Sequence, residues 1–219
     1  MLFCPLDLTS LGIAKKQGKL YTMSQYRDSV YGEDVRKSDG FYFREWEPKR
    51  SKVAAAILKR FDDLPFRRDS RVLYLGASTG TTVSHLSDIC SAGQIFAIEK
   101  AYDPFVKLLS LSQRRNNIYP VLEDAGIPER YRFFVERADV IYQDVAQRNQ
   151  VQIFNANAEA FPEARDALLI LKIRAISSKG NEADILKTET GKIEGFRTMQ
   201  VINLNPYSKA NYMLHLKRK

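Results

Sequence analysis

Five polar stretches in this chain could do chemistry, and each follows a short apolar run. Gly76-Ala77-Ser78-Thr79-Gly80-Thr81-Thr82 comes after Arg71 to Leu75. Its glycines let the backbone turn sharply and approach a ligand closely, while its threonines offer hydroxyls and N–H groups at a helix start. Glu99 ends the second run and can accept both hydroxyls of a ribose. Asp124-Ala125 ends the third, where a carboxylate can receive an adenine amino group. Asp144-Val145-Ala146-Gln147 ends the fourth, and Lys172 interrupts the fifth, Leu168 to Ile173. Open α/β sheets bind ligands outside the carboxyl ends of their strands. A loop, a ribose acid and an adenine acid in that order describe a bound adenosine, so the pattern favours a nucleoside-containing cofactor.

Two other chemistries use similar residues. A dinucleotide dehydrogenase would use Glu99 in the same way, but Ser78 replaces the middle glycine that lets backbone meet pyrophosphate. A Ser78-dependent esterase is the second, because Gly76-Ala-Ser78-Thr-Gly80 matches a nucleophile elbow, with Asp144 and His215 following in hydrolase order. That reading leaves Asp124 and Lys172 without a role.

The elements that would position these groups alternate between strand and helix. Strands are expected at Arg71 to Leu75, Gln94 to Ile98, Ile118 to Leu122, Asp139 to Tyr142 and Ala167 to Ile173. Helices are expected over Lys49 to Phe61, Thr82 to Ile89 and Pro104 to Asn116, with further helical stretches between the later strands. Met199 to Leu204 and Tyr212 to Leu216 are close enough to pair. Strands bounded by helices imply a largely parallel sheet covered on both faces. Residues 1–45 read as a small β-rich domain, with β-prone Lys19 to Met23, Ser29 to Gly32 and Gly40 to Arg44, and residues 46–219 as one α/β domain. Core packing is expected for most of Tyr21, Tyr26, Tyr31, Phe41 and Tyr42, with stacking on bases or docking of a partner as the alternative, and for His85 behind the glycine loop.

The charge of +8 suits phosphate backbones, and basic residues gather at Lys15-Lys16, Arg67-Arg68, Arg114-Arg115, Arg130-Arg132-Arg137 and Lys217-Arg218-Lys219. A solvated enzyme surface is the alternative. No apolar run is long enough to span a membrane, and the first 16 residues lack the order of a signal peptide. Cys4 and Cys90 have neither disulfide-framework nor metal-ligand spacing, so reduced cytoplasmic thiols and no metal site are expected.

Longer blocks carry a resemblance. Trp46-Glu-Pro-Lys-Arg-Ser-Lys52-Val-Ala-Ala-Ala-Ile and Val72-Leu-Tyr-Leu-Gly-Ala-Ser-Thr-Gly-Thr-Thr-Val-Ser-His85 resemble the catalytic domain of fibrillarin. So do Asn117-Ile-Tyr-Pro-Val-Leu-Glu-Asp-Ala125 and Asp139-Val-Ile-Tyr-Gln-Asp-Val-Ala-Gln147. Val30-Tyr-Gly-Glu33 and Arg44-Glu-Trp46 resemble the family's N-terminal unit, and the likeness runs from about Lys19 to the C-terminus. Without a Gly/Arg-rich N-terminal extension, the sequence is similar to the archaeal, fibrillarin-like form.

The resemblance implies a Rossmann-like methyltransferase fold, with a seven-stranded, mostly parallel sheet ending in an antiparallel pair. It implies S-adenosyl-L-methionine contacts at Gly76, Ala77, Thr81, Thr82, Glu99, Lys100, Asp124, Ala125, Asp144, Val145, Ala146 and Gln147. It also implies 2′-O-methylation of ribose in rRNA and tRNA within a box C/D ribonucleoprotein. There a guide RNA selects the target, beside a Nop-domain scaffold protein and a kink-turn-binding protein of ribosomal type. For such a transfer the protein must align a hydroxyl with the methyl group and manage one proton. Lys52, Asp144 and Lys172 are the expected catalytic core. Asp144 would orient the hydroxyl or accept its proton, Lys172 would stabilise alkoxide charge, and Lys52 would complete the cluster. One position departs from the family, whose members typically carry a histidine four residues after the tyrosine of a Pro-Tyr pair. Here Asn211 stands at that spacing from Tyr207. An inactive ribonucleoprotein subunit that keeps the fold is therefore the alternative function.

Overall fold

The computed structural model describes residues 8–38, 40–61 and 63–219. Cys4 and the first residues of the N-terminal segment lie outside them. A small antiparallel sheet, in the order β1-β2-β4-β3, is built from β1 (Ile13–Lys16), β2 (Lys19–Ser24), β3 (Val35–Ser38) and β4 (Phe41–Glu45). Ser29 to Gly32, expected as a strand, forms a turn instead. The Glu33 carboxylate accepts from the Val30 and Tyr31 N–H groups and the Ser29 hydroxyl, so these groups are satisfied without a ladder. Of the five N-terminal aromatics only Tyr21 is fully buried, and Phe41 is 48% exposed. Tyr26, Tyr31 and Tyr42 are half-buried, and the first two carry polar contacts. The expectation of core packing for most of them is thus corrected.

The larger sheet alternates with helices in chain order: α1 (Lys52–Leu58), β5 (Arg71–Leu75), α2 (Thr81–Ile89), β6 (Gln94–Glu99), α3 (Tyr102–Ser112) and β7 (Ile118–Leu122). There follow α4 (Arg132–Val135), β8 (Val140–Gln143), α5 (Gln150–Ala160), β9 (Asp166–Lys172), α6 (Ile173–Ile176), α7 (Glu182–Gly191), β10 (Phe196–Asn203) and β11 (Asn211–Arg218). Its order is β10-β11-β9-β8-β5-β6-β7, parallel from β9 to β7, with β11 antiparallel to both β9 and β10. This is the doubly wound, Rossmann-like arrangement. The central strands are apolar throughout because both of their faces are covered. Val72 and Tyr74 of β5 join the core beneath α1 and α2, whereas Leu73 and Leu75 join the core beneath α5. Three buried alanines, Ala54 to Ala56, let α1 lie close to the sheet.

The small sheet is locked to α2 by buried charge. Arg44 donates to Glu33 and Asp88, and Arg115 donates to the other oxygen of Asp88. His85 sits among them, with Thr22 at its Nδ1, Tyr31 at its Nε2 and Trp46 stacked on its ring. Burial, reinforced by the Arg44 and Arg115 guanidiniums, holds its pKa well below the ordinary value, so it packs as a neutral ring. Arg115 is therefore a structural ion, and of the Arg114-Arg115 pair only Arg114 faces solvent. Burial pushes the Cys90 thiol up to about 12, which makes it unreactive. No helix among the described residues is long and apolar enough to cross a membrane.

Candidate functional site

The carboxyl ends of β5 to β9 converge on a cleft of about 370 Å³. At its floor the chain turns through Gly76, whose φ of +81° favours glycine. A Cβ there would lie 2.9 Å from the Asp144 carbonyl oxygen, so glycine lets the two strand ends meet. Gly80, with φ +88°, packs equally close to α3, since a Cβ would approach Leu111 to 2.6 Å. The turn between them is fixed by Glu99, whose carboxylate accepts from the Ser78 N–H at 2.8 Å and the Ala101 N–H at 2.7 Å. Glu99 is thereby held at the end of β6, where it lines the cleft. Asp124 accepts from the Gly126 N–H at 2.8 Å and faces Lys100 at 3.5 Å. The Gly126 N–H, opposed by partial burial and assisted by Lys100, holds its carboxyl below the usual range.

Three charged groups lie at the mouth of the cleft. Lys52 Nζ donates to Asp144 Oδ2 at 2.7 Å, and Lys172 Nζ lies 2.8 Å from Asp144 Oδ1 and donates to the Asp144 carbonyl at 2.9 Å. Their side chains keep 21%, 13% and 21% of their surface in Lys52, Asp144 and Lys172. Two ammonium groups against one carboxylate leave an excess of positive charge beside open space. Beneath them the Tyr74 and Tyr142 rings meet at 4.5 Å, tilted by 46°. Burial, then the nearby Asp144 charge, pushes the Tyr74 phenol well above its ordinary value, so it remains protonated.

The sequence missed the residue that holds Lys172 in place. Gln150, at the start of α5, is fully buried; its side chain accepts from the Lys172 N–H at 2.9 Å and donates to the Lys172 and Gln147 carbonyls. Gln143 donates to the Gln150 carbonyl from β8. One amide thus ties the lysine to the loop after β8. No local pattern signals it, because the partners lie 22 residues apart.

Of the residues expected to touch a cofactor, Gly76, Glu99, Lys100, Ala125, Asp144, Val145, Ala146 and Gln147 line the cleft, whereas Asp124 is not among its lining residues. Ser78, Ile98, Ala101 and Glu123 line it too and were not singled out for that role. Ala77 is buried behind the turn, and Thr82 turns inward to donate to Ser51 at 3.1 Å. Thr81 opens onto a separate groove. A glycine floor, the Glu99 carboxylate at the end of β6 and the Glu123 carboxylate just after β7 suit an adenosine-bearing ligand, including S-adenosyl-L-methionine.

The esterase triad is not assembled. His215 pairs with Leu168 of β9 and meets Asp166 and Asp63, four residues down the strand from Asn211, which pairs with Lys172. Four strand residues span about 13 Å. Asn211 occupies the catalytic end instead, and its amide donates to the Ser208 hydroxyl at 2.6 Å.

A family model described as Fibrillarin matches residues 10–219. A fibrillarin-like rRNA/tRNA 2′-O-methyltransferase of Picrophilus torridus is 54% identical over 206 residues, 94% of this chain and 97% of that protein. A crystal structure of a fibrillarin/Nop5p complex superposes with TM-score 0.87 at 43% identity, covering 95% of this chain and 98% of that one. Fibrillarin of Aeropyrum pernix, in complex with natively bound S-adenosyl-L-methionine, superposes with TM-score 0.83 at 36% identity, covering 90% and 88%.

Proposed function

This chain belongs to the fibrillarin family, and from that premise we propose that it methylates the ribose 2′-hydroxyl of rRNA and tRNA. The observation that carries the reading is the Lys52–Asp144–Lys172 cluster set at the cleft formed by the carboxyl ends of β5 to β9. S-adenosyl-L-methionine, when bound, supplies a methyl group already activated by its sulfonium. Glu99 would hold the ribose of that molecule, the Ala125 region and Gln147 its base, and the loop at Gly76 its methionine part. Asp144 orients the incoming hydroxyl of the RNA and receives its proton. Lys52 and Lys172 stabilise the negative charge that grows on the oxygen. Gln150 acts one step back, as a positioning residue for Lys172.

Asn211 stands where the family resemblance places a histidine, and it can donate and accept hydrogen bonds but cannot shuttle a proton near neutral pH. The reading assigns proton handling to Asp144 alone. We place the reaction in the cytoplasm, within a particle holding a Nop-domain scaffold protein, a kink-turn-binding protein and a box C/D guide RNA. A relative that forms a complex with Nop5p supports the first of these partners.

The test is labelled-methyl transfer from S-adenosyl-L-methionine to a guided RNA in the reconstituted particle. A matched RNA lacking the 2′-hydroxyl at the guided nucleotide serves as control. Label in the normal RNA alone supports the proposal. No label, with assembly and cofactor binding verified, favours an inactive subunit that keeps the fold.

A further inference from the structure

A second groove, of about 310 Å³, opens across the glycine loop from the cleft. Its walls include Thr79 and Thr81 of that loop, Lys107 and Ser110 of α3, Arg114 just beyond α3, and Tyr31 of the N-terminal unit. No carboxylate lines it, whereas Glu99, Glu123 and Asp144 line the cleft. Lys107 and Arg114 are exposed, and neither has an ion pair or side-chain hydrogen bond among the described residues. Other basic side chains behave differently: Arg130 pairs with Glu123, Arg137 with Asp139, and Arg115 with Asp88.

A short segment links the groove to the Lys52–Asp144–Lys172 cluster. Arg50 lays its guanidinium over the Tyr31 ring at 5.4 Å, Ser51 accepts from Thr82, and Lys52 meets Asp144. Three consecutive residues therefore run from the rim of the groove to the reacting centre. The chemistry of the lining is that of a phosphodiester site. Cations neutralise phosphates and release counterions, while hydroxyls donate to phosphate oxygens.

We propose that this groove binds the backbone of the RNA substrate beside the nucleotide being methylated, with Lys107 and Arg114 meeting successive phosphates. The inference rests on the reading of the chain as an RNA methyltransferase. It assigns backbone contacts to this subunit itself, in addition to whatever its partners hold. Contiguity with Lys52 favours RNA over an acidic protein as the occupant.

The experiment compares three assembled particles: wild type, Lys107→Ala/Arg114→Ala, and a control Lys15→Ala/Lys16→Ala on β1. Methyl transfer is followed against target RNA concentration at saturating cofactor. Binding of fluorescent target RNA is followed by anisotropy over a salt series, with S-adenosylhomocysteine present. For the groove variant KM should rise about tenfold, with kcat within about twofold and cofactor affinity unchanged. The slope of log affinity against log salt should become shallower by roughly 1.4, the value for two single-strand phosphate contacts. An unchanged KM overturns the proposal, as does an equal loss in the control. Loss of particle assembly with normal KM in the particles that do form also overturns it, and marks the groove as a protein contact. If the wild-type particle transfers no methyl group, the functional reading fails. The anisotropy difference between the groove variant and the control still decides the groove.

Discussion

Two aspartates in this molecule are each bridged by two cations, and their surroundings give them opposite work. Asp88 lies between Arg44 and Arg115, with side chains between 0% and 2% exposed. Asp144 lies between Lys52 and Lys172 at the mouth of the cleft, with about a fifth of each lysine open to solvent. Arginine offers a rigid fork of donors, and Arg44 uses its fork to join Glu33, Asp88 and Ser84 at once. Lysine is a compact charge on a flexible stem, able to turn toward an incoming oxygen. A buried pair stripped of water needs every partner in place, whereas a pair beside a cleft can exchange one partner for a substrate. The difference teaches that burial and cation type, more than the charge count, separate a clamp from the proposed catalyst.

The largest effect should come from breaking the clamp. Arg44→Ala leaves Glu33 and Asp88 buried with fewer partners and should cost about 3–5 kcal/mol of stability. Thermal unfolding should fall by roughly 10 °C for a chain of this size. An unchanged melting temperature would show that the network is slack.

Breaking the cluster should spare the fold and remove the reaction. Lys172→Ala should lower methyl transfer about 10²- to 10³-fold, in line with loss of one oxyanion-stabilising group. Its melting temperature should shift little, and near-normal turnover with RNA bound would remove Lys172 from the mechanism. A smaller loss is expected from Gln150→Leu, which frees Lys172 without touching a reacting atom. Turnover should fall by up to about 10²-fold through misplacement. Cofactor affinity should change less than kcat, and equal losses in both would point to collapse of the loop after β8.

The smallest effect sharpens the comparison through pH. His85 is held neutral in the folded chain, so its folded pKa lies below its unfolded one. Its contribution is complete above about pH 6.5 and is lost as acid protonates the unfolded chain first, by at most about 1.4 kcal/mol per pH unit. Glu33 behaves likewise at lower pH. Burial raises its carboxyl, but Arg44 and the Val30 and Tyr31 N–H groups outweigh that and set it below its ordinary value. Its share is lost only below the ordinary carboxylate range. His85→Gln should therefore flatten the stability profile between about pH 6.5 and 5, and leave the steeper acid loss in place. Urea midpoints across that range measure it, and an unchanged slope would assign the acid loss elsewhere.

These regions were not equally legible in the sequence. The parallel strands announced themselves because β5 and β9 are buried on both faces and read as continuous apolar runs. β1 and β3 did not, since Lys15-Lys16 and Arg36-Lys37 face solvent and carry no alternation of apolar residues. Asp144 and Lys172 showed themselves as polar groups at strand ends, while Lys52 emerged only through the family resemblance. The clamp was invisible, because Arg44, Asp88 and Arg115 come from three separate segments and meet only in the fold. Arg115 was read with Arg114 as a basic patch for the same reason. Gln150 was hidden by distance along the chain. Asn211, at the spacing of the family histidine, lies opposite Lys172 in the sheet.

The most direct test of the division between clamp and catalyst is a crossed pair, Asp144→Asn and Asp88→Asn. Each is measured for single-turnover methyl transfer in the assembled particle and for its urea midpoint. Asp144→Asn should lose transfer by about 10²-fold or more and keep its midpoint. Asp88→Asn should lower the midpoint and, under conditions where it is folded, transfer at close to the wild-type rate. Near-normal transfer by Asp144→Asn, or an Asp88→Asn protein that is stable yet inactive, would contradict it.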